Sequence, residues 1–202
     1  MKVIGLCGRS GSGKGYVCEL LECRGVRCID TDAIYRRLTA PSKRRRALVS
    51  ELARAFGENV VAPDNSLDRR ALGEIVFSDD AALEMLDRIA HRHILREVRS
   101  LLARFAKEGV AIACVDAPVL FESGFDKECD VTVCVTASEE TRVRRIMRRD
   151  GIGEEAARRR LASQKSDDEL RLLCTTVIVN DGDDEALVRS IEQLISDLSD
   201  KE

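Results

Sequence analysis

The 202-residue chain contains no tryptophan, and only 3% of its residues are aromatic. Stacking platforms for single-stranded nucleic acid are therefore scarce. Charge of one sign is lacking too. The formal net charge is −3, so no global field draws the protein to nucleic acid or to a membrane surface. No apolar run approaches a bilayer span, and no long apolar segment opens the chain. The two histidines, His91 and His93, are spaced i and i+2 on different faces of a helix, which is poor geometry for a shared metal. His91 reads as packed or substrate-contacting, His93 as surface. The eight cysteines include no Cys-x-x-Cys pair, which disfavours a zinc knuckle or a thioredoxin-type motif. Cys7, Cys114 and Cys134 lie inside apolar runs, as small buried hydrophobes do. Internal repeats and low-complexity tracts are absent as well. What remains is a soluble globular protein, expected in the cytoplasm with its thiols reduced.

What is present has an alternating rhythm. Short apolar runs at 2–7, 26–29, 110–115, 131–135 and 176–179 read as strands, several of them apolar on both faces, as buried parallel strands are. Helical patterns separate them. In the last, Leu187, Ile191, Leu194, Ile195 and Leu198 form one stripe. The expectation is an α/β fold with a five-stranded parallel sheet flanked by helices. From about residue 40 to 107 no strand pattern occurs, and "KRRRALVSELARAFG" and "DRRALGEIV…RFAKEG" both read as helices. The chain thus reads as a single domain: a core of 1–39 and 108–202, a helical insertion of about 40–107, and a lid of about 138–165.

The first strand runs into "GRSGSGKG", which meets the phosphate-loop pattern G-x-x-x-x-G-K-[ST] at Gly8, Gly13 and Lys14 but has Gly15 where Ser or Thr is required. Glycines at 8, 11 and 13 let backbone N–H groups turn toward an anion, and the following helix N-terminus adds partial positive charge. Lys14 would reach the terminal phosphates. The second strand is followed by Asp30 and Asp32 at the carboxyl edge of the sheet, where open α/β sheets bind ligands. Asp32 is a candidate acceptor for the proton of an attacking hydroxyl; helix capping is the competing role for either aspartate. Asp116 ends the third strand, in the position of a magnesium-holding carboxylate, with Glu122 further out to meet substrate. Eight arginines crowd residues 142–160, in two helices joined by "DGIG". That suits a lid closing over triphosphate, because guanidinium pairs bidentately with phosphate and keeps its charge; a solvated face is the plainer explanation.

Taken together, "GRSGSGKG", "IDTDAIYRRL", "DRRALGEIVFSD" with "LDRIAH", "VDAPVLFESGFDKECDVTVCV", "RRIMRRDG", "RRLASQ" and "VIVNDG" resemble the dephospho-CoA kinase family nearly end to end. The resemblance implies a P-loop kinase that transfers the γ-phosphoryl of Mg²⁺-ATP to the ribose 3′-hydroxyl of dephospho-CoA, giving CoA and ADP. It implies nucleotide contacts from Gly8, Gly11, Ser12, Gly13, Lys14, Gly15, Tyr16 and the lid residue Arg149. It matches Asp32 to the carboxylate that receives the hydroxyl proton, and Lys14 and Arg145 to groups acting on the phosphates. Arg69, Phe77 and His91 fall in the acceptor region, and Asp116 remains the candidate metal ligand. The chain departs from the family pattern at Gly15, at Arg92 (commonly Pro), at Leu170 (commonly Lys) and at Cys174-Thr175 (commonly Ala-Asp). Adenylate kinases also carry Gly directly after the loop lysine, though they keep a Thr next, where this chain has Tyr16. Three other readings stand beside this one: a P-loop kinase for another nucleotide or small metabolite, a nucleotide-binding paralogue without catalysis, and nucleic-acid binding through "SKRRR" and the lid.

Overall fold

The computed structural model describes residues 1–162 and 164–199; Ser163, within the lid segment, lies outside the described residues. In chain order the elements are β1 (Lys2–Cys7), α1 (Lys14–Glu22), β2 (Arg27–Asp30), α2 (Thr31–Thr39), α3 (Ala47–Phe56), α4 (Arg69–Val76), α5 (Asp80–Lys107), β3 (Ile112–Asp116), β4 (Val131–Thr136), α6 (Glu139–Asp150), α7 (Glu154–Ala162), α8 (Asp167–Leu173), β5 (Thr176–Val179) and α9 (Asp184–Ser199). The five strands form one parallel sheet in the order β2-β3-β1-β4-β5. β1 is central. Lys2 lies opposite Ile112 and Leu6 opposite Asp116 on one side, and Cys7 lies opposite Cys134 on the other. The connection from β3 to β4 therefore crosses β1, and this reversal of winding opens a crevice at the carboxyl ends of β1 and β3.

The chain divides into two compact units, residues 1–29 with 102–202, and residues 30–101. The first holds the sheet core. Ile4, Leu6, Val133 and Val135 pack with Val17 and Leu21 of α1 and with Leu187, Ile191 and Leu194 of α9. Each such side chain contributes about 1.5–3 kcal/mol by leaving water. The stripe read from the sequence as the last helix is the face α9 buries. All eight cysteines are free, and Cys7, Cys114 and Cys134 are buried as their apolar surroundings require.

The second unit packs α2, α3, α4 and most of α5 around Leu48, Val49, Leu52, Val60, Leu72, Val76 and Ile89. Two expectations are corrected here. Residues 43–46 are not helical; α3 begins at Ala47, after an extended Arg46. The preceding segment is tied instead to the "APDNS" turn, where Ser42 N–H donates to the Asp64 carbonyl and Asn65 Nδ2 donates to the Ser42 carbonyl. His93 is not a surface residue: it is only 5% exposed, and its Nε2 lies 2.8 Å from Glu51 Oε2.

Candidate active site

The segment between β1 and α1 is built to hold an anion. Gly11 and Gly13 have φ of 79° and 88°, a region that side chains with a Cβ rarely enter. A Cβ on Gly11 would stand 2.7 Å from the Arg142 carbonyl oxygen, and one on Gly13 would run into the Asn180 side chain. Ser12 is 1% exposed, and its hydroxyl oxygen has no hydrogen-bond partner among the described residues. A buried polar atom without a partner is costly, so this hydroxyl awaits a ligand or solvent group. Lys14 opens α1. Its ammonium donates to the Gly8 carbonyl at 3.2 Å and stands 3.9 Å from the Asp116 carboxylate at the end of β3. Lysine and aspartate thus meet at the crevice that the strand order creates. Gly15 differs from its neighbours: its φ is ordinary, and a Cβ there would meet nothing within 4 Å. The backbone does not require glycine at this position. Tyr16 is 40% exposed.

The loop's shape depends on residues far along the chain. Arg145 Nη1 donates to the carbonyls of Gly11, Ser12 and Asn180 at 3.2, 3.2 and 3.0 Å, and Nη2 donates to Asn180 Oδ1 at 3.3 Å. Asn180, buried just after β5, donates from Nδ2 to the Ser12 carbonyl at 2.9 Å. Arg149 reaches the Ser10 hydroxyl at 3.2 Å and pairs with Asp150, whose carboxyl that guanidinium holds below the usual range. Ser10 N–H donates to Gln164 Oε1 at 2.9 Å. Below these, Asp167 binds the buried Arg142 at 2.7 Å and lies 3.7 Å from Arg9, whose guanidinium also donates to the Leu161 carbonyl. The Arg-rich helices α6 and α7 are joined at Gly151, in the left-handed conformation at the end of α6. Several of their arginines are nevertheless surface pairs: Arg159, for one, bonds Glu155 one turn away, and both are exposed. Glu122 is exposed and pairs with Lys165 at 2.7 Å, which raises the lysine's pKa.

In the helical unit, the capping question is resolved. Asp30 caps α2, accepting from Ala33 N–H at 2.8 Å, and also pairs with Arg36. Asp32 is left exposed in the first helical turn. Arg69 starts α4, lies over the Tyr35 ring at 5.3 Å and donates to Thr39 Oγ1 at 3.1 Å. Phe77 ends that helix 86% exposed, and His91 is half-buried on α5. A groove of about 670 Å³ that no sequence pattern had marked is lined by Arg54, Arg92, Arg96, His93 and Glu51. His93 bonding holds the Glu51 carboxyl below its usual range, ahead of the contribution from Arg92.

This architecture agrees with the comparisons. Residues 2–185 match the family model described as dephospho-CoA kinase. A dephospho-CoA kinase of Anaeromyxobacter dehalogenans is 38% identical over 98% of this chain and 92% of its own length. One from Geobacter sulfurreducens is 37% identical over 96% and 97%. Among solved structures, TT1252 from Thermus thermophilus superposes with a TM-score of 0.81 at 34% identity, covering 98% of this chain and 97% of that one. The dephospho-CoA kinase from Campylobacter jejuni gives 0.69 at 25% identity, covering 98% of each. Shikimate kinase from Acinetobacter baumannii, at 0.55 and 20% identity, shares the fold. By its sequence along nearly its whole length and by its fold, the chain belongs to the dephospho-CoA kinase family.

Proposed function

We infer that the protein is a dephospho-CoA kinase, phosphorylating the ribose 3′-hydroxyl of dephospho-CoA with ATP in the last step of CoA synthesis. The observation that carries this reading is the end-to-end family match joined to a phosphate loop whose lysine stands at the β1–β3 crevice. The loop glycines and the N-terminus of α1 receive the ATP phosphates, with Lys14 neutralising the charge that gathers on the terminal oxygens. Arg145 positions the loop through the Gly11 and Ser12 carbonyls and ties both to the Asn180 carbonyl, and Arg149 closes over the loop beside Ser10. Asp32, relieved of capping by Asp30, orients the acceptor hydroxyl and takes its proton. Arg69, Phe77, His91 and Glu122 are the residues assigned to the acceptor.

Magnesium fits this donor set. Asp116 offers a carboxylate beside Lys14, and the buried Ser12 hydroxyl without a partner leaves a further oxygen in the loop. Asp116 would hold the ion directly or through water, and Mg²⁺ keeps several waters in its shell, so the hydroxyl missing at Gly15 is replaceable by one of them. When bound, the ion supplies charge neutralisation on the phosphate oxygens. The cytoplasm, where ATP and reduced thiols coexist, is the compartment this reading assigns.

The test is a coupled ADP-release assay with dephospho-CoA, AMP, adenosine and no acceptor. Turnover that depends on dephospho-CoA and yields the 3′-phosphorylated product supports the reading. Faster turnover of AMP or another small acceptor refutes it.

A further inference from the structure

Three cysteines that share no sequence motif converge under the phosphate loop. Cys18 lies on α1, Cys28 on β2 and Cys114 on β3, and their sulfurs are all within 4.8 Å of one another. Among the described residues, no other group of three or more histidine, cysteine or carboxylate ligand atoms converges so closely. The surroundings are apolar: Cys114 is fully buried, and Cys18 and Cys28 pack half-buried against the core that includes Val17, Leu21, Val26 and Ile112. The Cys28 thiol also lies 3.6 Å from the Cys18 carbonyl, where it donates.

A metal–thiolate bond of about 2.3 Å places three sulfurs about 3.8–4.0 Å apart, so rotations of a few tenths of an ångström close this cluster around one ion. Three sulfurs without oxygen or nitrogen donors select a soft cation. A structural zinc site would take a fourth protein ligand, whereas monovalent copper is complete with three thiolates. Two of the three sulfurs sit on half-buried residues, which leaves a route of entry.

We propose that Cys18, Cys28 and Cys114 bind one thiophilic cation, with Cu(I) the best-fitting occupant. The site would clamp α1 to β2 and β3 directly beneath the nucleotide. Cys18 follows Lys14 by one helical turn on the same face, and Cys114 precedes Asp116 by two residues on the same face of β3. Three thiolates around a monovalent ion carry net negative charge, so loading would oppose phosphate binding at Lys14.

The experiment titrates the reduced full-length protein with Cu(I) against a competing chelator, under a non-thiol reductant, and reads the metal's neighbours by X-ray absorption. The expected result is one Cu(I) per chain in a shell of three sulfurs. Cys18→Ser and Cys28→Ser should each lose at least about 100-fold in affinity, since removing even an outer-shell partner costs 10–100-fold. Cys23→Ser and Cys174→Ser should bind as the wild type does. Cys28→Ala provides a second variant, and circular dichroism confirms that each is folded. ATP affinity, measured by direct binding, should fall on loading the wild type and stay unchanged in Cys28→Ser. Absence of stoichiometric binding, fewer than three sulfurs in the shell, or a loss in Cys174→Ser rather than Cys28→Ser would overturn the site. Loaded protein with unaltered ATP affinity would overturn its coupling to the loop. Metal binding is read without any acceptor, so this test stands or fails apart from the kinase reading.

Discussion

Replacing Gly15 by serine separates a stability effect from a metal effect at one position. The residue occupies the first turn of α1, its φ is ordinary, and a new Cβ would meet nothing within 4 Å. No strain or clash opposes the substitution. Glycine costs about 1 kcal/mol relative to alanine inside a helix and serine about half that, so the variant should gain about 0.5 kcal/mol whether or not metal is present. For a chain of this size that is about 1–2 °C in Tm. The hydroxyl adds a separate term. Displacing one water from the ion on nucleotide should contribute about 1 kcal/mol, about a fivefold fall in the Mg²⁺ concentration for half-maximal rate. KM for dephospho-CoA should not move, because nothing at residue 15 is assigned to the acceptor. The assay is ADP release across a magnesium titration at saturating ATP, with thermal unfolding run in parallel. A variant that gains the stability but keeps the wild-type magnesium response would refute the reasoning and show that another group already fills the ligand position. Wild-type protein that binds ATP yet never turns over at high magnesium would favour a nucleotide-binding paralogue instead.

Asp32→Asn should lower kcat about 10²–10⁴-fold with ATP binding little changed, and a near-normal kcat in the folded variant would strip Asp32 of its role. Arg145→Ala removes donors to Gly11, Ser12 and Asn180 and should weaken ATP binding and turnover, whereas Arg159→Ala, whose partner is an exposed glutamate, should be near silent in the same assay. Equal losses at both arginines would contradict this division of the lid. Asp167→Ala leaves the 3%-exposed Arg142 without its carboxylate and should cost about 3 kcal/mol, or about 6–12 °C in Tm by thermal unfolding; a loss below about 1 kcal/mol would mean that water replaces the pair.

The parts of the fold that follow from local pattern were legible in the sequence. Each of the five apolar runs became a strand within one or two residues; β1, β3 and β4 are apolar because they are buried on both faces, whereas the edge strands β2 and β5 stay partly exposed. The proximity of Lys14 and Asp116 also follows from local position, since Asp116 ends β3 and Lys14 opens α1 behind the loop that leaves the neighbouring β1. Residues whose meaning lies in a distant partner were not. Arg142 sits in a run of charge that reads as solvated, yet it is buried because Asp167, 25 residues on, meets it. Asn180 was visible only as part of "VIVNDG", with nothing to say that it binds a carbonyl 168 residues away. His93 read as surface from helical spacing alone, and its buried state depends on Glu51, 42 positions earlier. The cysteine trio is the extreme case, because no spacing rule joins positions 18, 28 and 114.

The order of the sheet has a consequence for how the chain matures during synthesis. β1 is made well before its register partners, which begin at Ile112 on one side and Val131 on the other. At about 5–20 residues per second, the central strand and the phosphate loop behind it wait roughly 5–20 s for β3 to exist. Residues 30–101 are complete before either partner is made and can begin to pack in that interval. The phosphate loop waits longer still for its full support, since Asn180, which holds it, is made 168 residues after Ser12. A chain stalled before residue 180 would carry every glycine of the loop without the support that shapes it, and its long-range strand pairing makes slow refolding from denaturant the expected behaviour of the finished protein.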